Sequence, residues 1–300
     1  MKRFVKKHLP RWLQSYFRRV YYHYPIVRRI YYLPANIRDA LRWRGKKLAP
    51  PRSKIFVGDG DFELAGQEFL GYFTDLCGLG PKENILEIGS GIGRMAIPLT
   101  NFLSLEGSYV GMDIVAEGIE WCRKKITPLF PNFTFFQSDI YNYQYNSRGR
   151  CRAGEYRFPF ADASFDFVFL TSVFTHMLPA DVDHYLAEIS RVLRPGGRCL
   201  VTYFLLDDAV RAALQTGRHH MKYPYEDCLV IDPQMPEASI SHPEKRIREL
   251  YLKYGLAISE PVRYGNWCGR EEFLSSQDIV IAMKTMSLKK EKTGPKTSAN

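Results

Sequence analysis

The chain has 300 residues, 45% hydrophobic, 14% aromatic and 25% charged, with a formal net charge of +10. That size and apolar content suit one large domain with a full core and appendages. The charge is uneven: residues 1–54 hold 16 Lys/Arg against one acid, Asp39, while the rest holds 26 Lys/Arg against 31 Asp/Glu. A mildly acidic body argues against a domain wrapped in a nucleic-acid-binding surface.

None of the six cysteines forms a C-x-x-C pair. They read as reduced thiols of a cytoplasmic protein, and no metal site is expected. No run of 18 uncharged apolar residues is present, so no spanning helix is expected. The N-terminus has neither an apolar signal core nor a cleavage site, which points away from export.

In the leader, Trp12, Leu13, Tyr16, Phe17, Val20 and Tyr24 recur at helical spacing. Pro25 interrupts that pattern, Ile26 to Tyr31 resume it, and Pro34-Ala35-Asn36 is expected to break it again before Ile37. Short basic helices rich in aromatic residues suit the headgroup layer of an anionic membrane, which makes such a surface a candidate partner. A helical flap packed on the body, or an arm to a second subunit, suits them equally. Pro50-Pro51 marks a linker, so residues 1–54 read as leader and linker.

Phe62 to Leu79 reads as a helix with Phe69, Leu70, Phe73 and Leu76 inward. Asn84-Ile85-Leu86-Glu87-Ile88-Gly89-Ser90-Gly91-Ile92-Gly93 follows. It opens as a short buried strand, turns on three alternate glycines, and passes into a helical pattern from Ile92 to Leu103. That layout puts a ligand at the C-terminal edge of a parallel sheet. A dinucleotide fingerprint would need G-x-G-x-x-G, and the sixth position from Gly89 is Arg94. The acid Glu87 precedes the glycines and suits a ligand with an ammonium and a sulfonium.

Glu87, Gly89, Gly91 and Gly93 together resemble motif I of the class I S-adenosylmethionine-dependent methyltransferases. The resemblance implies S-adenosyl-L-methionine as cofactor, with Ser90 in the same turn. It also implies a Rossmann-like α/β fold: a seven-stranded, mostly parallel sheet with helices on both faces. Ser108 to Ile114 reads as the second strand with Asp113 at its end, matching the acid that takes the ribose hydroxyls; a plain helix cap is the other reading. Asn132 to Gln137 reads as the third strand. Asp139 after it matches the family's acid beside the adenine amine, with a turn or cap as the alternative. Ile114 and Ile140 are then expected to sandwich the adenine.

Tyr141 to Tyr156, rich in tyrosine and arginine, reads as a loop at the site's edge or as a solvated excursion. Phe165-Asp166-Phe167-Val168 opens a fourth, fully apolar strand that ends near Thr171. His176 follows, then a helix Asp181 to Leu193 stopped by Gly196-Gly197, then a fifth strand Arg198 to Leu205. This order resembles the type 11 group of the same superfamily, over about Phe62 to Leu205. It carries Thr171 into the cofactor set and makes His176 the candidate catalytic base, since imidazole titrates near neutrality. A loop histidine touching only cofactor or backbone is the competing reading, and His184 reads as a surface residue.

Residues 206–243 form an insertion, expected to be a substrate lid, with the pair His219-His220. Two last strands are expected at Leu256–Val262 and Asp278–Met283, joined through Trp267 and Arg270, both candidates for a substrate pocket. The methyltransferase domain is thus bounded at 55–284, and residues 285–300 read as a disordered tail. No Asn/Asp-Pro-Pro-aromatic run follows the fourth strand and no Pro-Cys dipeptide exists, which disfavours nucleobase methylation. O-methylation of a small-molecule, glycan or lipid-linked acceptor is the reading adopted. The alternatives are N-methylation of a small molecule or protein, and a non-catalytic membrane-associated scaffold that retains the cofactor fold.

Overall fold

The structure, a computed structural model, describes residues 25–42, 48–56, 61–215 and 221–286. The first leader helix, the His219-His220 pair and the tail from 287 onward lie outside the described residues.

Five strands follow one another as β1 (Asn84–Ile88), β2 (Ser108–Asp113), β3 (Phe133–Gln137), β4 (Phe165–Leu170) and β5 (Leu193–Tyr203). After them come the short strands β6 (Leu205–Leu206), β7 (Tyr223–Tyr225), β8 (Cys228–Val230) and β9 (Ile240–Pro243). The last two are β10 (Leu256–Ile258) and β11 (Asp278–Lys284). One seven-stranded sheet has the order β10-β11-β5-β4-β1-β2-β3. It is parallel from β3 through β5, and β11 runs antiparallel to both of its neighbours. From β1 the chain proceeds to β2 and β3 on one side, then crosses to β4 on the other. The strand order therefore switches at β1, and a crevice opens at the C-terminal ends of β1 and β4.

Both faces are covered, as a parallel sheet requires. On one face lie α2 (Phe62–Gly71), the short α3 (Ala96–Leu99) and α4 (Ala116–Lys125), around Phe73, Ile119 and Cys122. The other face carries α5 (Pro179–Val192) and α7 (Glu244–Lys253), around Tyr185, Ile189 and Tyr251. The helix α6 (Asp208–Gln215) and a second sheet, β6-β9-β8-β7, fill the stretch between β5 and α7 where an insertion is expected. The leader helix α1 (Pro25–Arg42) lies before the linker.

Two local expectations are corrected. Pro34 does not break the leader: α1 runs through it as one helix. Tertiary bonds hold both halves, Arg28 donating to Glu117 at 2.6 Å and Asn36 to Ser53 at 2.9 Å. They offset the lost backbone bond at the proline. Nor does Gly196-Gly197 stop the helix before β5. The helix ends at Val192, and Arg194 to Gly197 already belong to β5. The register there jumps from Phe165–Leu193 to Phe167–Arg198, with Gly196 at φ +77°, so the glycine serves a bulge.

Trp267 and Arg270, both half-buried, tie into a hub around the buried Asp278. Asp278, fully buried, accepts from Leu205 N at 2.7 Å, Gly265 N at 2.6 Å and Trp267 Nε1 at 2.7 Å. Arg270 bridges Asp207 and stands 3.7 Å from Asp278. Burial still pushes the Asp278 carboxyl up to about 6. One carboxylate thus ties the start of the insertion and the 264–270 joint to β11.

Candidate active site

The site is built at the end of β1. Gly89, Gly91 and Gly93 all have positive φ, at +84°, +56° and +78°, a conformation that costs other residues 1–2 kcal/mol or so. Close approach adds a second constraint. A Cβ on Gly89 would stand 2.4 Å from Val173 Cγ2, and one on Gly118 in α4 would stand 2.2 Å from Gly91 O. The glycine turn is therefore wedged between the loop after β4 and the first turn of α4.

Asp113 holds this turn from the end of β2. Its Oδ2 accepts from Gly91 N and its Oδ1 from Val115 N, each at 2.7 Å. Burial pushes its carboxyl above the usual range, opposed by those amides. Asp113 thus latches the glycine turn and bonds Val115, the N-cap of α4, which has no side-chain cap of its own. Ile114 beside it is half-buried, against the core on the α5 side.

Glu87 is not at the open mouth of the turn. It is 1% exposed, accepts a short hydrogen bond from the Tyr109 hydroxyl, and is pushed up to about 8 by burial. Tyr109 and Gly111 lie on the β2 face that β1 presents at Glu87, since Glu87 pairs with Gly111. The sequence reading missed Tyr109. The strand alternation carried a signal for it, because residues two apart share a face.

Asp139 is also engaged. Arg150, from the 141–156 segment, bonds its carboxylate and holds it below the ordinary range. That segment is no free excursion: it pairs Ile140 with Cys151 and Asn142 with Asn146. It folds so tightly over β3 that a Cβ on Gly149 would meet the Ile140 carbonyl carbon at 2.2 Å. Ile140 is buried there, at 3% exposure. The Asp139–Arg150 pair is exposed, and exchanging one such partner for another costs little.

The loop after β4 carries Thr171, Ser172, Val173 and His176. Thr171 is half-buried. Ser172 has φ +60° and donates its N–H to Thr202 Oγ1 at 2.7 Å; Gln277 Oε1 accepts from both hydroxyls. Phe174 to His176 form a single tight turn. His176 Nδ1 lies 3.0 Å from Glu237 O. A carbonyl only accepts, so Nδ1 carries the proton and Nε2 is the basic nitrogen. The Tyr145 ring meets the imidazole edge-on at 5.9 Å. The 141–156 segment and the insertion therefore converge on His176. His184 is not a plain surface residue, since its Nε2 bonds Tyr156 O at 3.0 Å.

Sequence reading had no signal for Glu237 or His242, which come from the insertion. His242, 1% exposed, donates from Nε2 to Phe174 O at 2.9 Å, and its Nδ1 faces Cys228 Sγ at 3.8 Å. Burial pulls its pKa down to about 4. An unfolded histidine binds a proton below about 6.5 while the native one stays neutral. Stability from this group is therefore complete above that pH and falls as the pH drops toward 4. Protection factors for amide exchange in β8, β9 and the His176 turn, which correct for the intrinsic slowing of exchange in acid, are expected to fall between about pH 6.5 and 4 in the parent, and less so in His242→Gln. An identical pH response in the two proteins would count against His242 as the source.

Residues 86–201 match a family model described as a methyltransferase domain. Over 127 residues the chain is 32% identical to a fatty-acid O-methyltransferase of Mycolicibacterium smegmatis, covering 42% of this chain and 37% of that protein. Over 119 residues it is 36% identical to a phthiotriol/phenolphthiotriol dimycocerosates methyltransferase of Mycobacterium tuberculosis, covering 40% of this chain and 36% of that one. The aligned stretch thus spans little more than a third of these relatives. The solved structure of the PH0226 protein from Pyrococcus horikoshii shares the fold, with a TM-score of 0.53, 14% identity, and coverage of 78% of this chain and 95% of that one.

Motif order, strand order and family match agree: residues 86–201 match a methyltransferase domain of the type 11 kind, in the sheet order of the class I S-adenosylmethionine-dependent methyltransferases. The cofactor of that class is S-adenosyl-L-methionine, and the residues present fit it. The glycine turn brings bare backbone to the crevice. The hydroxyls of Ser90 and Ser138, both buried residues, have no hydrogen-bond partner among the described residues, as suits polar atoms that await one.

Proposed function

We propose that the protein transfers a methyl group from S-adenosyl-L-methionine to a hydroxyl of a lipid-like acceptor. The observation that carries this is the placement of His176. Its turn is wedged against Gly89 through Val173, and its tautomer is fixed by Glu237 O, leaving Nε2 basic. When bound, the cofactor supplies an electrophilic methyl carbon on a sulfonium, which departs as a neutral thioether.

The chain's own residues do the rest. Gly89, Ser90, Gly91 and Gly93 offer backbone and a hydroxyl at the crevice. Asp113 holds the ribose while keeping the turn latched, with Thr171 on the opposite wall. Ile114 and Ile140 flank the adenine, and Asp139 takes the adenine amine by exchanging Arg150. Glu87, beneath the turn, answers the ammonium when the cofactor's positive charge offsets the burial that keeps its carboxyl protonated. His176 Nε2 takes the acceptor's hydroxyl proton as the new carbon–oxygen bond forms, so positioning and base catalysis share the rate.

An oxygen on a lipid is favoured by the two relatives above, one named for fatty acids and the other for phthiotriol and phenolphthiotriol dimycocerosates. Their common stretch is the domain core, so the acceptor class is carried by analogy. A lipid-like acceptor is met at a membrane, and the basic leader suits a cytoplasmic protein held peripherally on the inner, anionic face. No helix among the described residues is long and apolar enough to cross a membrane.

The test is turnover on hydroxylated and carboxylated lipids dispersed in detergent, with the product identified by mass. Methylation of the hydroxylated lipids, only in the presence of cofactor, supports the reading; methylation of carboxylates alone would place the oxygen on an acceptor that needs no base. Methylation of an amine acceptor alone would move the protein to the N-methyl alternative.

A further inference from the structure

The leader helix docks on the body by its polar side and turns its apolar side outward. Arg28, only 3% exposed, is buried against the domain with its guanidinium 5.7 Å from the Phe56 ring and bonded to Glu117. Ile26, Ile30, Leu33 and Ile37 are 57%, 68%, 56% and 54% exposed. At 3.6 residues per turn these four fall within about 60° of one another, and Arg28 lies on the opposite side of the helix. Amphipathic helices on soluble domains normally bury the apolar stripe and expose the charges. Here the arrangement is inverted, and the Arg28–Glu117 ion pair and the Asn36–Ser53 hydrogen bond hold it.

A second feature lies at the flank of this stripe. Between α1 and α4 is a crevice of about 340 Å³ lined by Arg29, Lys54, Lys124 and Lys125, with Glu117 and Glu120 as its acids. Arg29 and Lys124 are 57% and 75% exposed. Four cations against two acids leave the crevice net positive, next to an apolar stripe that faces away from the body.

We infer that α1 lies flat on an anionic bilayer, with Ile26, Ile30, Leu33 and Ile37 in the acyl boundary and the α1–α4 crevice on lipid headgroups. The inference rests on the peripheral reading of the leader but not on the acceptor or on catalysis. Stripe and crevice supply the two terms of such binding, apolar burial and attraction to anionic lipid. Neither alone names the partner. A second copy of the chain would meet like charge at the crevice flank, whereas an anionic lipid surface satisfies both. The Arg28–Glu117 pair sets which face of α1 is turned outward, and so sets how the body hangs beneath the membrane.

The test is flotation of the full chain with phosphatidylcholine vesicles, with and without phosphatidylglycerol, with cofactor and acceptor omitted. The parent is expected to float only with phosphatidylglycerol and to be released by salt. Each lost cation lowers affinity about fivefold, so Lys124→Glu/Lys125→Glu is expected to bind roughly thirtyfold more weakly or worse. Ile30→Glu/Leu33→Glu is expected to lose flotation at any salt, with an unchanged melting temperature because both positions are exposed. Three results would each overturn the inference: no flotation of the parent, equal flotation with neutral vesicles, or undiminished flotation of the stripe variant. A dimer in sedimentation that Ile30→Glu/Leu33→Glu dissolves, with no vesicle binding, would assign the stripe to a second copy instead. Failure of methyl transfer leaves this readout untouched, because no turnover is measured.

Discussion

Replacing His176 with glutamine is expected to lower turnover by about 10²–10⁴-fold, the usual contribution of a positioned acid or base, while cofactor affinity stays near the parental value. Glutamine gives up the Nδ1 position that faces Glu237 O at 3.0 Å, but the turn from Phe174 to His176 has other anchors. Val173 still packs at Gly89, and Phe174 O still accepts from His242. What is lost is the Nε2 assigned to take the acceptor's proton. The rate of the variant should therefore climb with pH as the acceptor ionises without help, whereas the parent should level off. Calorimetry and a pH–rate profile on both proteins check this. A variant matching the parent in rate and profile would leave His176 with no catalytic part.

That prediction depends on contacts the sequence does not display. The local pattern was legible where it is set by nearest neighbours. The apolar runs of β1 and β4, the three glycines of positive φ and Asp113 at the end of β2 are all short-range signals, and all fall where the periodicity put them. The illegible parts are tertiary. Pro34 reads as a breaker because its neighbours along the chain cannot report that Glu117 and Ser53 hold the two halves of α1. Gly196-Gly197 reads as a helix stop because the bulge against Phe165–Phe167 exists only once β4 and β5 pair. Asp139 reads as an open acid because Arg150 lies 11 residues away across a loop of no fixed period. Glu237 and His242 sit in an insertion whose fold is set by pairing with β6 and with the His176 turn. Glu87 is the intermediate case. Its position was legible, but its burial under Tyr109 depends on which face of β1 the helices cover.

The loss expected for Asp113→Ala is of a different kind, since this carboxylate does two things at once. Its two oxygens accept the Gly91 and Val115 amides, each at 2.7 Å, in a site 9% exposed. Hydrogen bonds to a charged group are worth about 1.5–3 kcal/mol each, and a buried amide left without a partner costs about as much again. The variant is therefore expected to melt at lower temperature and to bind cofactor at least about tenfold more weakly, which corresponds to about 1.4 kcal/mol. Weaker binding alone does not separate a missing ribose contact from a slack glycine turn, and a cofactor analogue does. In the parent, the 2′-deoxy form of S-adenosylhomocysteine should bind more weakly than S-adenosylhomocysteine, because one ribose hydroxyl no longer meets Asp113. In Asp113→Ala the two ligands should bind alike, since the partner of that hydroxyl is gone from both complexes. Asp113→Asn should fall between, because one amide oxygen can still hold the turn without the charge. Equal discrimination against the deoxy analogue by parent and alanine variant would take the ribose away from Asp113 and leave it as the latch of the glycine turn.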